Sequence, residues 1–381
     1  MGFKSLLIAC WLGWFIVFLT RFSISPILPL IENEFNIMHS EAGLLMSSYL
    51  IAYAIMQIPA GMFSDRFGRR YIIILGLLLS SLANVFIGLS SSFISIAFCR
   101  FLTGLGAGTY FSASTSLISD NFPSGRRGKA IGLTSSGIGV GTVTAVFLGG
   151  LIAELTGWRL VFYISTIPGL IGIIIFWRLV RESRVSGGSV KDCRVPYRGV
   201  FKNKSLINLT VIHFLILATY FCLTTFIPTY LTVEAKLSIL IANIIFIALP
   251  LFEIPAGPIG GFLADKIGKK YVSITGIITV AFIASILPLV KSPILFLTGL
   301  IATGFMIRAV LTVLSVFVTD TSSPSIVGTA LGWYNAIGFL GSSIGPYIFG
   351  LLTDNYGFNS AFLFAGFIAS IAIPLIVTVK E

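Results

Sequence analysis

The sequence predicts an all-α membrane protein of twelve transmembrane helices, arranged as two six-helix parallel repeats. Three observations carry that prediction. Of 381 residues, 56% are apolar and only 10% charged, with a mean hydropathy of +0.99; a soluble chain would have about a quarter of its residues charged. The apolar residues fall into twelve runs, each near the ~20 residues that cross a bilayer core. A charged hairpin, Gly61-Met62-Phe63-Ser64-Asp65-Arg66-Phe67-Gly68-Arg69-Arg70-Tyr71, returns 200 residues later as Gly261-Phe262-Leu263-Ala264-Asp265-Lys266-Ile267-Gly268-Lys269-Lys270-Tyr271.

In chain order the runs are 5–30, 41–64, 71–91, 93–120, 129–153, 158–180, 204–228, 239–263, 271–290, 293–318, 326–352 and 358–379. The first is longer than a signal-peptide core and lacks a small-residue cleavage site, so it is expected to remain a membrane helix. Internal Gly and Pro are tolerated in such helices. Lys4, Arg66, Arg69, Arg70, Arg126, Arg127, Lys129, the 178–204 cluster, Lys266, Lys269, Lys270 and Lys380 collect on one side. Only Arg159, Lys236 and Lys291 lie on the other. The positive-inside rule makes the first side cytoplasmic, with both termini and both hairpins facing in, as in a multi-pass protein of the plasma membrane. The net charge of +11 is thus an orientation signal and needs no nucleic-acid partner.

The basic segment 181–203 is the only long connection and divides the chain into bundles 1–180 and 204–381. The bundles match at the same offset: Asp120 with Asp320, Gly132 with Gly332, Gly141 with Gly341, Gly150 with Gly350, Gly157 with Gly357 and Phe162 with Phe362. Six helices per half insert both halves the same way, giving parallel repeats about an axis along the membrane normal. Four scattered cysteines and two histidines offer neither a disulfide framework nor metal spacing. No nucleotide loop or Ser/His/Asp set is present, so the expectation is a non-enzyme with no cofactor and no metal.

Six plus six helices, with G-x-x-x-D-R-x-G-R-R after the second and its echo after the eighth, resemble the major facilitator superfamily over essentially the whole chain. Arg100-Phe101-Leu102-Thr103-Gly104-Leu105-Gly106-Ala107-Gly108 looks like that superfamily's fourth-helix motif, and Gly157-Trp158-Arg159 with Phe162 like its entry to helix six. Arg21 before Pro26 and Pro29, Ser48 through Tyr53, and Gln57-Ile58-Pro59-Ala60-Gly61 resemble the opening of the anion:cation symporters, next to the organophosphate antiporters. Two acidic positions of some symporters are Thr20 and Ala107 here. The antiporter Gly-Pro motif of helix five is incomplete, with Thr142 after Gly141.

Ionisable groups inside a bilayer are costly and point to function. Arg21 and Arg100 both fall roughly 10–14 Å below the outer surface. The resemblance places their helices at the cavity, where two arginines would clamp a carboxylate or phosphate; the competing reading makes Arg100 structural. Glu253 and Arg308 each precede a repeated aspartate by twelve residues, about 18 Å from the cytoplasmic end. They are expected to pair, either as a static link or with Glu253 as proton carrier. His213, about 13 Å into helix seven, is a second coupling candidate or a packing residue. Tyr53, Gln57, Tyr220 and Asn335 are polar groups on helices that the resemblance turns toward the cavity.

Gly61, Asp65, Arg66, Gly68, Arg69 and Arg70 form one conformational latch with Asp120, and Gly261, Asp265, Lys266, Gly268 and Lys269 a second with Asp320. Asp65 is expected to engage Arg69, and Asp265 to engage Lys269. The resulting expectation is a monomeric secondary transporter of a small organic anion, working by alternating access and coupled to protons or a counter-anion. A drug or cation antiporter, or a non-transporting nutrient sensor on the same scaffold, are the alternatives.

Overall fold

Helices take up nearly every described residue of the computed structural model, which describes residues 3–180, 203–322 and 327–379. Most of the central connection and Lys380 lie outside the described residues. Ten helices are long and apolar enough to span a membrane, from Phe3–Phe35 to Ala330–Thr378, and the bent helix His39–Phe67 makes eleven. The last run, Val327–Thr378, turns at Gly357 (φ 79°, ψ 169°), so its two legs bring the number among the described residues to twelve. Helix starts at Phe93, Trp158, Lys204, Ile239 and Pro293 coincide with the starts of the apolar runs.

The breaks have local causes. The first span is helical over Phe3–Phe22, tightens to a 3-10 turn over Ser25–Ile27 and resumes over Leu28–Phe35. Pro26 and Pro29 cannot donate to the ladder there. The second span bends by 51° across Pro59. Both hairpins turn on a glycine in the same conformation, Gly68 at φ 100°, ψ 141° and Gly268 at φ 97°, ψ 139°. Side chains rarely adopt that backbone, which is why the motif has glycine at this point.

The chain forms two compact units. The first comprises Met1–Ile37, Ser48–Lys191 and Lys236–Ile244; the second comprises Met38–Ser47, Asp192–Ala235 and Ile245–Glu381. Within the first, span one packs on span five and span three on span six; within the second, span seven packs on the last run and span eight on span ten. Gly104 lets its helix approach the Tyr49 carbonyl, and Gly304 does the same against Leu249, 200 residues on.

Each unit caps a helix start with a carboxylate. In the second, Asp354 accepts from the N–H groups of His39 (2.9 Å) and Ser40 (2.8 Å). In the first, Glu154 accepts from the N–H of Leu240 at 2.6 Å. Free N–H groups and the helix dipole both favour an anion at these places.

Candidate functional site

In the first unit the break in span one leaves helix-terminal carbonyls that need donors. Arg100, fully buried on span four, supplies them: one terminal nitrogen donates to the Thr20 carbonyl at 2.9 Å and the other to the Arg21 carbonyl at 3.0 Å. The positive charge also sits favourably at a helix C-terminus. Arg100 thereby fixes the backbone from which Arg21 projects.

Arg21 itself is 1% exposed and packed among aromatic rings. Its guanidinium lies 4.4 Å from the Phe18 ring centroid, 4.3 Å from Tyr53 and 5.5 Å from Tyr49. The Tyr49 hydroxyl donates to the Val17 carbonyl at 3.3 Å, and both tyrosines act electrostatically on Arg21. Tyr49 was not legible as a site residue. It stands one helical turn before Tyr53, the two rings stack at 6.4 Å, and its other neighbour is Arg100 at 4.6 Å. The i, i+4 tyrosine pair was the available signal. The sequence puts the two arginines at like depth and leaves a structural reading open for Arg100; the structure gives them different surroundings, rings around Arg21 and main-chain carbonyls on Arg100.

In the second unit Glu253, Tyr220 and Arg308 come together. The Arg308 guanidinium and the Tyr220 hydroxyl both act electrostatically on the Glu253 carboxyl. No ion pair joins Glu253 to Arg308 among the described residues: Oε1 of Glu253 is buried without a hydrogen-bond partner, and Arg308 lies over Gly257, one turn on. The expected direct pair is therefore absent, and the two charges share one neighbourhood with Tyr220. Asn335 is half-buried on the penultimate leg, beside Tyr334. His213 stacks on Tyr334 at 3.8 Å with the rings 6° apart, and its Nδ1–H donates to the Tyr334 carbonyl at 3.0 Å. That contact ties span seven to the next-to-last leg and fixes the ring's orientation. No group of His, Cys, Asp and Glu able to hold a metal occurs among the described residues.

The family model described as Major Facilitator Superfamily matches residues 10–251 and 209–381. The chain belongs to the Major Facilitator Superfamily. This superfamily member is a multi-pass membrane transporter and not an enzyme. It is 27% identical over 365 residues to the cis,cis-muconate transport protein of Acinetobacter baylyi, covering 92% of this chain and 88% of that one. It is 26% identical over 377 residues to the hexuronate transporter of Bacillus subtilis, covering 93% and 89%. The crystal structure of a D-xylose-proton symporter superposes with a TM-score of 0.87 at 18% identity over 100% of this chain and 98% of that one, which shows the shared fold.

The transporter's first hairpin carries the expected ion pairs, and the second carries the one with Asp320 but not the one with Asp265. Arg69 forms an ion pair with Asp120, donates to the Ser116 carbonyl at 2.5 Å and stands 3.8 Å from Asp65. Lys269 forms an ion pair with Asp320, whereas Asp265 is exposed and in no ion pair among the described residues. The glycine turn carries residue 69 or 269 onto the next helix, toward Asp120 or Asp320, and the longer arginine also reaches back to Asp65 where the lysine does not reach Asp265. Arg70 donates to the Trp177 carbonyl at 2.5 Å, while Arg66 and Lys266 are exposed. A Cβ at Gly261 would meet nothing within 4 Å and one at Gly61 only Ser112, so neither glycine serves close packing inside its own unit. Asp65, with a 66% exposed side chain, remains available to a partner in another conformation. On the latch reading, Asp65→Asn is expected to slow transport by about tenfold or more while substrate affinity stays within a few-fold, the effect of a conformational bias of about 1–3 kcal/mol. Uptake rates set against equilibrium binding check this; a large loss of affinity at unchanged rate would refute it.

Proposed function

We propose that this superfamily transporter moves a small organic anion across the plasma membrane by alternating access, coupled to a proton or counter-anion gradient. Its working halves are 1–180 and 204–381, joined by the cytoplasmic connection 181–203, with both termini cytoplasmic and the protein acting as a monomer. The observation that carries the reading is Arg21, a buried guanidinium presented by three aromatic rings on a backbone held by Arg100. A guanidinium in such low-dielectric surroundings favours a carboxylate that can accept two parallel bonds. The names of the relatives, acting on muconate and on hexuronates, support an acid as cargo.

In this reading Arg21 holds the carboxylate, Arg100 positions it, and Tyr53, Gln57, Tyr220, Arg308 and Asn335 select among acids. Glu253 carries the coupling proton. Its place in an apolar span beside a tyrosine and an arginine lets it alternate between a charged and a neutral form. His213, committed to Tyr334, is the secondary candidate. The test is counterflow in proteoliposomes against a panel of sugar acids, dicarboxylates, sugar phosphates, neutral sugars and organic cations. Exchange of one or more acids, with neutral sugars and cations left outside, is the expected result. Exchange of cations without acids would overturn the proposal in favour of a drug antiporter.

A further inference from the structure

The two halves of the sequence repeat their backbone at one set of positions but not the side chains set on it. Asn36 and Lys236 are the two non-glycine residues with positive φ among the described residues, at 50° and 52°. Ser90 and Val290 turn their N–H groups back to Ile87 and Leu287 at 3.1 and 3.2 Å. Gly157 and Gly357 both have positive φ. Every pair is separated by 200 residues, so the local backbone around Glu34 recurs around Glu234.

In the first unit that frame is filled. Arg159 donates to both oxygens of Glu34 at 2.6 and 2.8 Å, and the Trp158 indole N–H donates at 2.7 Å. Arg159 also reaches the Ser90 carbonyl at 3.3 Å. In the second unit the tryptophan is replaced by Phe358, which has no donor, and the arginine by Asn359, which has no charge. A cavity of about 470 Å³ lies there, lined by Tyr230, Glu234, Lys291, Tyr356, Phe358 and Asn359 among others. Its size falls within the roughly 300–1,000 Å³ of small-ligand sites.

The chemistry of the lining is specific. Glu234 and Lys291 put opposite charges into one cavity, yet neither joins an ion pair among the described residues. The Tyr230 hydroxyl donates to the Pro288 carbonyl at 3.1 Å and its ring meets Phe358 edge-on at 5.6 Å, which gives the cavity an aromatic wall. Tyr356, 72% exposed, stands at the rim. The cavity lies at the end of span seven opposite the 261–271 hairpin, and its tyrosines are of the residue type enriched where membrane meets water.

We propose that this cavity binds a zwitterion bearing a primary ammonium and a phosphate, the phosphoethanolamine group, as the headgroup of a membrane lipid. The ammonium takes the position relative to Glu234 that the Arg159 guanidinium takes relative to Glu34, with the tyrosine rings adding cation–π attraction. Lys291 and the Asn359 amide receive the phosphate. A phosphatidylglycerol headgroup lacks the ammonium. A phosphatidylcholine headgroup cannot donate N–H bonds to Glu234.

Native mass spectrometry of the full-length protein tests this, with phosphatidylethanolamine, phosphatidylcholine and phosphatidylglycerol supplied at equal concentration. Phosphatidylethanolamine should be retained at least about tenfold better than the other two, and Glu234→Gln should remove that preference. Asn359→Arg should remove it too, by giving Glu234 an internal partner like that of Glu34. Its thermal unfolding temperature, unchanged or raised, shows that the variant is folded. Soluble phosphoethanolamine is added to lipid-free samples as a separate arm. Equal Glu234-dependent binding there supports the zwitterion site but makes its source a soluble solute; binding of the lipid alone supports the headgroup. Wild-type retention of phosphatidylethanolamine by both variants, or no preference over phosphatidylcholine and phosphatidylglycerol, overturns the proposal.

Discussion

Arg21→Gln is expected to abolish uptake of an anionic substrate while the protein still folds and inserts. The guanidinium sits among Phe18, Tyr49 and Tyr53 with almost no exposure to water, so a bound carboxylate would exchange its hydration for this one cation. Removing one partner of such a desolvated pair costs about 2–5 kcal/mol, or roughly 30- to 5,000-fold in affinity. Arg21→Lys should recover part of the loss, because a lysine keeps the charge without the bidentate fork. Arg100→Gln provides the contrast. Its two bonds go to the Thr20 and Arg21 carbonyls; Thr20 keeps the Ser23 hydroxyl as a donor, but the buried Arg21 carbonyl loses its arginine donor, at about 1–3 kcal/mol. That variant is expected to lower thermal stability and expression, with transport falling as a consequence. Normal uptake by Arg21→Gln would sink the anion contact.

Glu253→Gln should separate two activities. Exchange of substrate across the membrane should persist, and accumulation driven by a pH gradient should be lost. Glutamine preserves the shape, but it cannot take up and release a proton. A charge inside the bilayer core costs at least about 2.5–3.5 kcal/mol, so a carboxyl there without a contact ion pair is retained for a reason other than helix insertion. Arg308 acts on it only through space, which leaves room for a proton to come and go as the surroundings change. A purely structural role makes the opposite forecast: both exchange and accumulation fail, and the swap Glu253→Arg with Arg308→Glu restores them. Uptake assays with and without an imposed pH gradient distinguish the two. Full proton-driven accumulation in Glu253→Gln would eliminate the coupling role.

Helix number, helix limits and the doubled hairpin could be read from residues alone because their causes are local. A run of apolar side chains dictates a span wherever the backbone must satisfy itself in lipid. A glycine at 68 and 268 dictates the same positive-φ turn in both halves, whatever packs around it. Depth along a helix is also local, since each residue adds a fixed rise, and it placed Arg21 with Arg100 and Glu253 with Arg308. Which partner each side chain takes was not local. Arg100 points at the span-one carbonyls because its helix closes on Tyr49 through Gly104, and that approach is a property of two helices together. Lys269 chooses Asp320 over Asp265, and Glu253 lies near Arg308 without a contact ion pair, for the same reason. Rotation of one helix about its axis and its register against a neighbour are set by the summed packing of many side chains. A single run of sequence carries no record of that sum, so the chain determined where its charges lie and the tertiary structure decided what they touch.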